Sequence, residues 1–228
     1  MARDNSPRIR QKKDLQRKQG RRVSHDRILI ISEGSKTEPL YFSEIRAHYR
    51  LHTASVEVRH SELGTAPIQV VQYAEELFRH GDRHKRIQAK AFEQVYAVFD
   101  RDEHESYAEA LEAAKALDQK LKNDAGKRVR FQAIASIPCF ELWLLLHFED
   151  IHAPLHRDEV IRRLRQHLPR YEKGVGGSFA NTREHLPKAL QRAQKLAQCY
   201  NAYTSPESFT AIDQLVTTLT DLKGTPLP

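Results

Sequence analysis

Cysteine and long apolar stretches are both scarce in this sequence of 228 residues. The two cysteines, Cys139 and Cys199, lie far apart, which argues against a disulfide framework or a zinc ribbon and favours a reducing cytoplasm. The longest apolar run, residues 140–148, is interrupted by Glu141 and His147 and is much shorter than the roughly 20 residues that cross a bilayer. The N-terminus is charged and lacks an apolar segment, so we expect neither a signal peptide nor a membrane span.

Acidic residues are fewer than basic ones, and the basic excess is concentrated near the N-terminus. The chain has 37 Lys and Arg against 30 Asp and Glu, a net charge of +7 that favours a polyanionic partner such as nucleic acid. Residues 1–22 hold nine of the basic residues and only two acids. Because it has almost no apolar side chains, the segment 1–24 is predicted to be a flexible basic arm. It either contacts phosphates or is a solvated tail, and the sequence leaves both open.

Strand and helix patterns alternate up to about residue 150. Short apolar runs predict four strands, at residues 27–32, 55–59, 94–100 and 128–135. Amphipathic segments between them predict helices that begin near Thr37, Pro67 and Ser106, the third reaching Asn123. This order predicts right-handed βαβ units and a parallel sheet between layers of helices.

Helical patterns dominate the remainder of the chain. The predicted helices lie at residues 139–148, 157–168, 183–200 and 211–222, with a glycine-rich loop at 173–178. We therefore predict a basic arm at 1–24, an α/β core at 25–150, and a helical C-terminal subdomain at 151–228 that packs on the core.

Acidic side chains follow two of the predicted strands at their carboxyl ends. Glu33 follows the first strand, whereas Asp100 ends the third and Asp102 lies two positions further on. If the first and third strands are neighbours, the three carboxylates converge at one edge of the sheet. This is the edge at which ligands bind in open parallel sheets. The three carboxylates would repel one another, and Mg²⁺ or Mn²⁺ would relieve the repulsion and support phosphodiester hydrolysis. The plain alternative is that Glu33 lies in an ordinary turn and Asp102 caps the next helix.

Polar residues beside these acids are further candidates. Lys36 and Thr37 stand at the start of a helix, where phosphate is attracted, and Arg101 lies between the two aspartates. Lys36 and Thr37 have a plain alternative, an exposed lysine and a helix cap. Glu141 lies early in an apolar helix, where it is either stabilised by the helix dipole or a metal ligand. Cys139 is expected to be a small apolar filler rather than a nucleophile.

Three blocks of the sequence resemble the motifs of the RloB-like protein family. They are residues 28–42, 98–102 and 136–148, and weaker similarities follow at 171–173 and 208–216. The likeness spans residues 25–220. One departure is Ile137, where the family pattern has a small polar residue.

The resemblance implies a TOPRIM-like fold, in which a Glu after the first strand and an Asp-x-Asp after the third hold Mg²⁺. In this chain those positions are Glu33, Asp100 and Asp102. Ser136 and Glu141 match a Ser and a Glu that serve a second metal position in related nucleases.

The resemblance further implies that Lys173 stabilises the transition state, and the plain alternative is a surface lysine. It also implies that the protein acts in bacterial restriction or abortive infection. The leading hypothesis is a Mg²⁺- or Mn²⁺-dependent nuclease that cleaves DNA or RNA in anti-phage defence. Its predicted metal ligands are Glu33, Asp100, Asp102 and Glu141, and its predicted substrate contacts are Lys36, Thr37, Arg101 and Ser136. Two alternatives remain: a non-catalytic nucleic-acid-binding or sensor module that works with a partner protein, and a phosphotransferase or phosphohydrolase for small phosphate esters.

Overall fold

The chain folds around a five-stranded sheet with the strand order β2-β1-β3-β4-β5. A computed structural model describes residues 26–52, 55–101, 104–203 and 208–222. The strands are β1 (Ile28–Ser32), β2 (Val56–His60), β3 (Gln94–Asp100), β4 (Arg130–Ile137) and β5 (Phe209–Thr210). The first four strands are parallel, and β5 pairs with β4 antiparallel. The predicted α/β class and parallel sheet are confirmed, whereas β5 was not predicted.

Helices cover both faces of this sheet. They are α1 (Thr37–His48), α2 (Pro67–His80), α3 (Tyr107–Leu117), α4 (Glu141–Leu145), α5 (Arg157–His167), α6 (Ser178–Thr182), α7 (Leu186–Cys199) and α8 (Ile212–Asp221). Every residue of β1 is buried, as expected of a central strand. Ile28 and Ile30 face the side that carries α1 and the C-terminal helices, and Leu29 and Ile31 face α2 and α3.

Aromatic side chains fasten α4 to α1. The indole Nε1 of Trp143 donates a hydrogen bond of 2.7 Å to the Tyr41 hydroxyl, and both side chains are fully buried. Phe140 and Phe179 pack edge to face against the Tyr41 ring. Burial of each ring contributes roughly 1.5–3 kcal/mol. This cluster fixes the start of α4, where Glu141 lies.

The predicted and observed helix bounds differ most at two places. The helix that begins after Ser106 ends at Leu117 rather than Asn123, because Gln119 takes a positive φ of 58° and the Asp118 carboxylate accepts a hydrogen bond from the Phe131 backbone N–H. The helix predicted at 139–148 is regular only within α4, since the following turn tightens to bonds between residues three apart.

Some predictions concern residues outside the described part of the chain. The basic arm at 1–24 and Asp102 both lie there, and the division into core and C-terminal subdomain stays a prediction. None of the helices in the described ranges is long and apolar enough to cross a membrane.

Candidate active site

The acids that follow β1 and end β3 meet at the carboxyl edge of the sheet. β1 and β3 are neighbours in register, and the backbone N–H of Asp100 donates a hydrogen bond of 3.0 Å to Oε2 of Glu33. The helix after β1 lies on one face of the sheet and the helix after β3 on the other. This divergence opens the crevice in which doubly wound folds bind ligands. The predicted convergence of Glu33 and Asp100 is therefore observed.

A third acid, Glu38, was not among the predicted site residues. It lies in the first turn of α1, is only 5% exposed, and its Oε2 is buried without a hydrogen-bond partner in the described residues. A Cβ at Gly34 would contact this carboxylate closely, so a larger residue in the turn after Glu33 would require the Glu38 side chain to move. Burial raises the pKa of Glu38 to about 7, and the charges of Glu141 and Glu33 contribute to the increase.

Glu33, Glu38, Asp100 and Glu141 together are called the acidic centre below. Asp100 is buried, and burial raises its pKa well above the usual value, with the charges of the other three acids adding to the effect. The mutual repulsion shows that the four carboxylates share one electrostatic environment. Such an arrangement is costly to the fold unless cationic groups offset the negative charge.

Glu141 is the most buried member of the acidic centre. Its side chain is 1% exposed; Oε1 accepts a hydrogen bond of 2.9 Å from the Tyr171 hydroxyl and lies 3.8 Å from Nζ of Lys173. Its Oε2 is buried and has no hydrogen-bond partner within the described ranges. Cys139 is fully buried nearby, and burial raises the pKa of its thiol further above neutrality, which agrees with a packing role.

Two cationic side chains reach the acidic centre from the C-terminal half. Arg157, the first residue of α5, donates from Nη2 to Oδ2 of Asp100 at 3.2 Å. Lys173 remains 58% exposed. Its partial burial lowers its pKa, but the carboxylates of Glu141 and Asp100 outweigh that effect and leave the pKa raised, so the amine is charged. A negatively charged ligand would therefore meet an exposed cation at the edge of a buried acidic site.

Lys173 is carried by residues 171–177, called the glycine loop below. The backbone N–H of Gly174 donates to Oγ1 of Thr37 at 3.0 Å, and Gly174 takes a left-handed φ of 81° with the Lys36 side chain directly beside its Cα. The loop ends where Glu44 accepts hydrogen bonds from the first backbone N–H groups of α6. These contacts place the predicted lysine next to the acidic centre.

The remaining predicted site residues have structural contacts. Thr37 was expected to cap α1, but Lys36 takes the cap position without a side-chain hydrogen bond, and the buried Thr37 hydroxyl instead binds the glycine loop. Arg101 packs on the Tyr107 ring. The Ser136 hydroxyl is buried against Thr210 of β5, with 3.0 Å between the two oxygens. Contact of these residues with phosphate stays a prediction.

The chemistry of the acidic centre fits a hard divalent cation. Its donors are all carboxylate oxygens, which Mg²⁺ and Mn²⁺ prefer. Among the described residues, the buried Oε2 atoms of Glu38 and Glu141 accept no hydrogen bond. In the described residues, no three His, Cys, Asp or Glu side chains form a ready-made metal-binding group. A metal would therefore draw its ligands together from Glu33, Asp100 and Glu141, with Asp102 outside the described residues.

The Tyr171 hydroxyl should contribute measurably to stability. We expect Tyr171→Phe to lower the free energy of unfolding by about 1–3 kcal/mol in EDTA, because a buried carboxylate oxygen loses its hydrogen-bond donor. Chemical denaturation checks this, with Tyr203→Phe, a change at an exposed tyrosine, as the matched control. Equal effects of the two substitutions would mean that the bond to Glu141 contributes nothing.

Comparison with known proteins agrees with the motifs. A family model described as RloB-like protein matches residues 28–219. No curated protein and no solved structure matches the chain.

Proposed function

Because the chain belongs to the RloB-like protein family, whose motif positions supply the acidic centre, we propose that it is a metal-dependent nuclease. The observation that carries the proposal is the set of mutually repelling carboxylates at the carboxyl edge of the sheet. Three of them are buried, and two of these have an oxygen without a hydrogen-bond partner among the described residues. A cluster with only a structural role would be expected to supply a donor to each buried carboxylate oxygen, whereas Oε2 of Glu38 and Oε2 of Glu141 have none among the described residues.

The proposed metal is Mg²⁺ or Mn²⁺, held by Glu33, Asp100, Asp102 and Glu141. When bound, it would supply Lewis acidity to a phosphate oxygen and an activated water. Two side chains of the protein position a ligand of the metal and bind the substrate. Arg157 holds the Asp100 carboxylate in place, and Lys173 faces the solvent side, where it can bind a phosphate oxygen.

Nucleic acid is the proposed substrate because the chain has a net charge of +7 and a concentration of basic residues at its N-terminus. Small phosphate esters would not need that charge distribution. In keeping with the motif resemblance, we propose that the cleavage serves anti-phage defence and that a partner protein restrains it.

A non-catalytic nucleic-acid-binding or sensor module is the second candidate. One observation favours it: Asp100 is already paired with Arg157, and a guanidinium can neutralise a carboxylate without any metal. On this alternative, the protein would bind nucleic acid and would not cleave it at any metal concentration.

Cleavage of a mixed panel distinguishes the two candidates. The panel contains plasmid, single-stranded DNA, total RNA and transfer RNA, each with Mg²⁺ or Mn²⁺ and with EDTA. The nuclease proposal expects cleavage that requires the metal and disappears in Glu33→Ala. Binding without cleavage of any polymer would favour the module, and metal-independent cleavage would contradict the proposed site.

Metal binding has a second readout that does not depend on activity. We expect Mn²⁺ to raise the melting temperature of the wild type at pH 8, because a ligand that binds only the folded state stabilises it, by about 2.7 kcal/mol at a hundredfold excess over Kd. The increase should be absent in Glu141→Gln. A similar increase in both proteins would place the metal elsewhere.

A further inference from the structure

A cavity of about 290 Å³ lies beside the glycine loop and is not used by the proposed reaction. It is bounded by the end of α5, the glycine loop and α6. Its lining includes His167, Arg170, Tyr171, Val175, Ser178 and Asn181. Its volume is at the lower end of the range for small-molecule sites, which suits a single planar ring system rather than a large ligand.

Tyr171 joins this cavity to the acidic centre. Tyr171 is one of the residues that line the cavity, and its hydroxyl donates a hydrogen bond to Glu141. Lys173 lies two residues further along the same loop, 3.8 Å from Glu141. A ligand whose ring system occupied the cavity would therefore lie beside Tyr171, whose hydroxyl contacts the acidic centre.

The chemistry of the lining matches a nucleobase. Unpaired bases stack on aromatic side chains and form hydrogen bonds through their exposed edges, and Tyr171 offers a ring while Asn181 and Ser178 offer polar groups. Arg170 and Glu172 both lie on the lining, so their opposite charges offset each other and the cavity suits an uncharged base rather than a phosphate. Bases inside a duplex are stacked and paired, so they cannot enter such a cavity without being extruded.

We propose that this cavity binds the unpaired base of the nucleotide beside the phosphate held at the acidic centre. The inference rests on the proposed nuclease function and specifies its substrate class: single-stranded nucleic acid, or unpaired nucleotides in a folded one. The fixed relation between Tyr171 and Glu141 would then select the bond that is cleaved, since base and phosphate are positioned together.

Binding in EDTA tests the cavity separately from catalysis. The probe is a short oligonucleotide with one 2-aminopurine, whose fluorescence is quenched by stacking, prepared as single-stranded DNA, as single-stranded RNA and as the corresponding duplexes. We expect quenching by the wild type with a single strand and weak binding of duplexes. Tyr171→Ala and Asn181→Leu should weaken single-strand binding about tenfold or more and abolish the quenching. Tyr171→Phe, which keeps the ring, should retain both.

Gln191→Leu, at an exposed amide on α7, is the matched control and should bind like the wild type. Tighter binding of single-stranded DNA or of single-stranded RNA would show which of the two nucleic acids the cavity recognises. Equal binding of duplex and single strand, unaltered quenching in Asn181→Leu, or no binding at all would overturn the inference. If cleavage of the panel persists while the cavity variants bind normally, the proposed function stands and this inference fails. If the single strand binds as expected but is never cleaved, the proposed nuclease function fails and the assignment of the cavity as a base-binding site stands.

Discussion

Asp100→Asn is expected to lose metal-dependent cleavage by at least about 100-fold while remaining folded. Substitution of residues that only support metal ligands typically costs 10–100-fold, and a direct ligand should cost more. Asparagine keeps the shape of the side chain and can still accept the hydrogen bond from Arg157, so packing should survive. Single-turnover cleavage of whichever panel substrate is cut by the wild type measures the effect.

Glu109→Gln is the matched control for this variant, because it makes the same acid-to-amide change at an exposed position on α3. Its rate should equal that of the wild type. If the Asp100→Asn protein kept more than a tenth of the wild-type rate, Asp100 would not be a metal ligand of the site. If Asp100→Asn lost both its activity and the spectrum of the folded protein, the comparison would be repeated with Glu33→Gln. The Glu33 side chain is less buried than that of Asp100, so its substitution should disturb the fold less.

Glu38→Gln is expected to make the metal-free protein more stable at pH 8, by on the order of 3 kcal/mol. The pKa of Glu38 is raised to about 7, from an unfolded value of about 4.3, and each pKa unit corresponds to about 1.4 kcal/mol. Because the folded state binds the proton more tightly, the cost of ionisation is absent below the unfolded pKa. It grows between about pH 4.3 and pH 7 and is complete above pH 7. Glutamine removes a charge that the fold does not compensate.

Denaturation in EDTA at pH 4 and at pH 8 measures this difference. The two proteins should have similar free energies of unfolding at pH 4 and should diverge at pH 8, with Glu109→Gln following the wild type throughout. A constant difference between wild type and Glu38→Gln at both pH values would show that ionisation of Glu38 is not the cause.

The local patterns of the sequence determined the central part of the fold. The apolar run at 28–32 is buried on both faces, as a central parallel strand requires, and strands and helices alternate as the periodicity predicts. Chain direction then places the residues after β1 and at the end of β3 at one edge. Glu33 and Asp100 could therefore be selected from the sequence, because strand ends and turn residues are local features.

Tertiary packing alone decided which other side chains reach the acidic centre. Glu38 looked like an ordinary acid in the first turn of a helix, and its burial depends on how α1 packs over the strand ends. Arg157 contacts Asp100 across a separation of 57 residues, which no local pattern encodes. The Thr37 hydroxyl accepts a hydrogen bond from the Gly174 backbone N–H instead of capping α1, and this contact also joins residues that are distant in the sequence. Periodicity reports which face of an element is apolar, but the partner of a polar side chain depends on elements that are distant in the sequence and meet only in the folded chain.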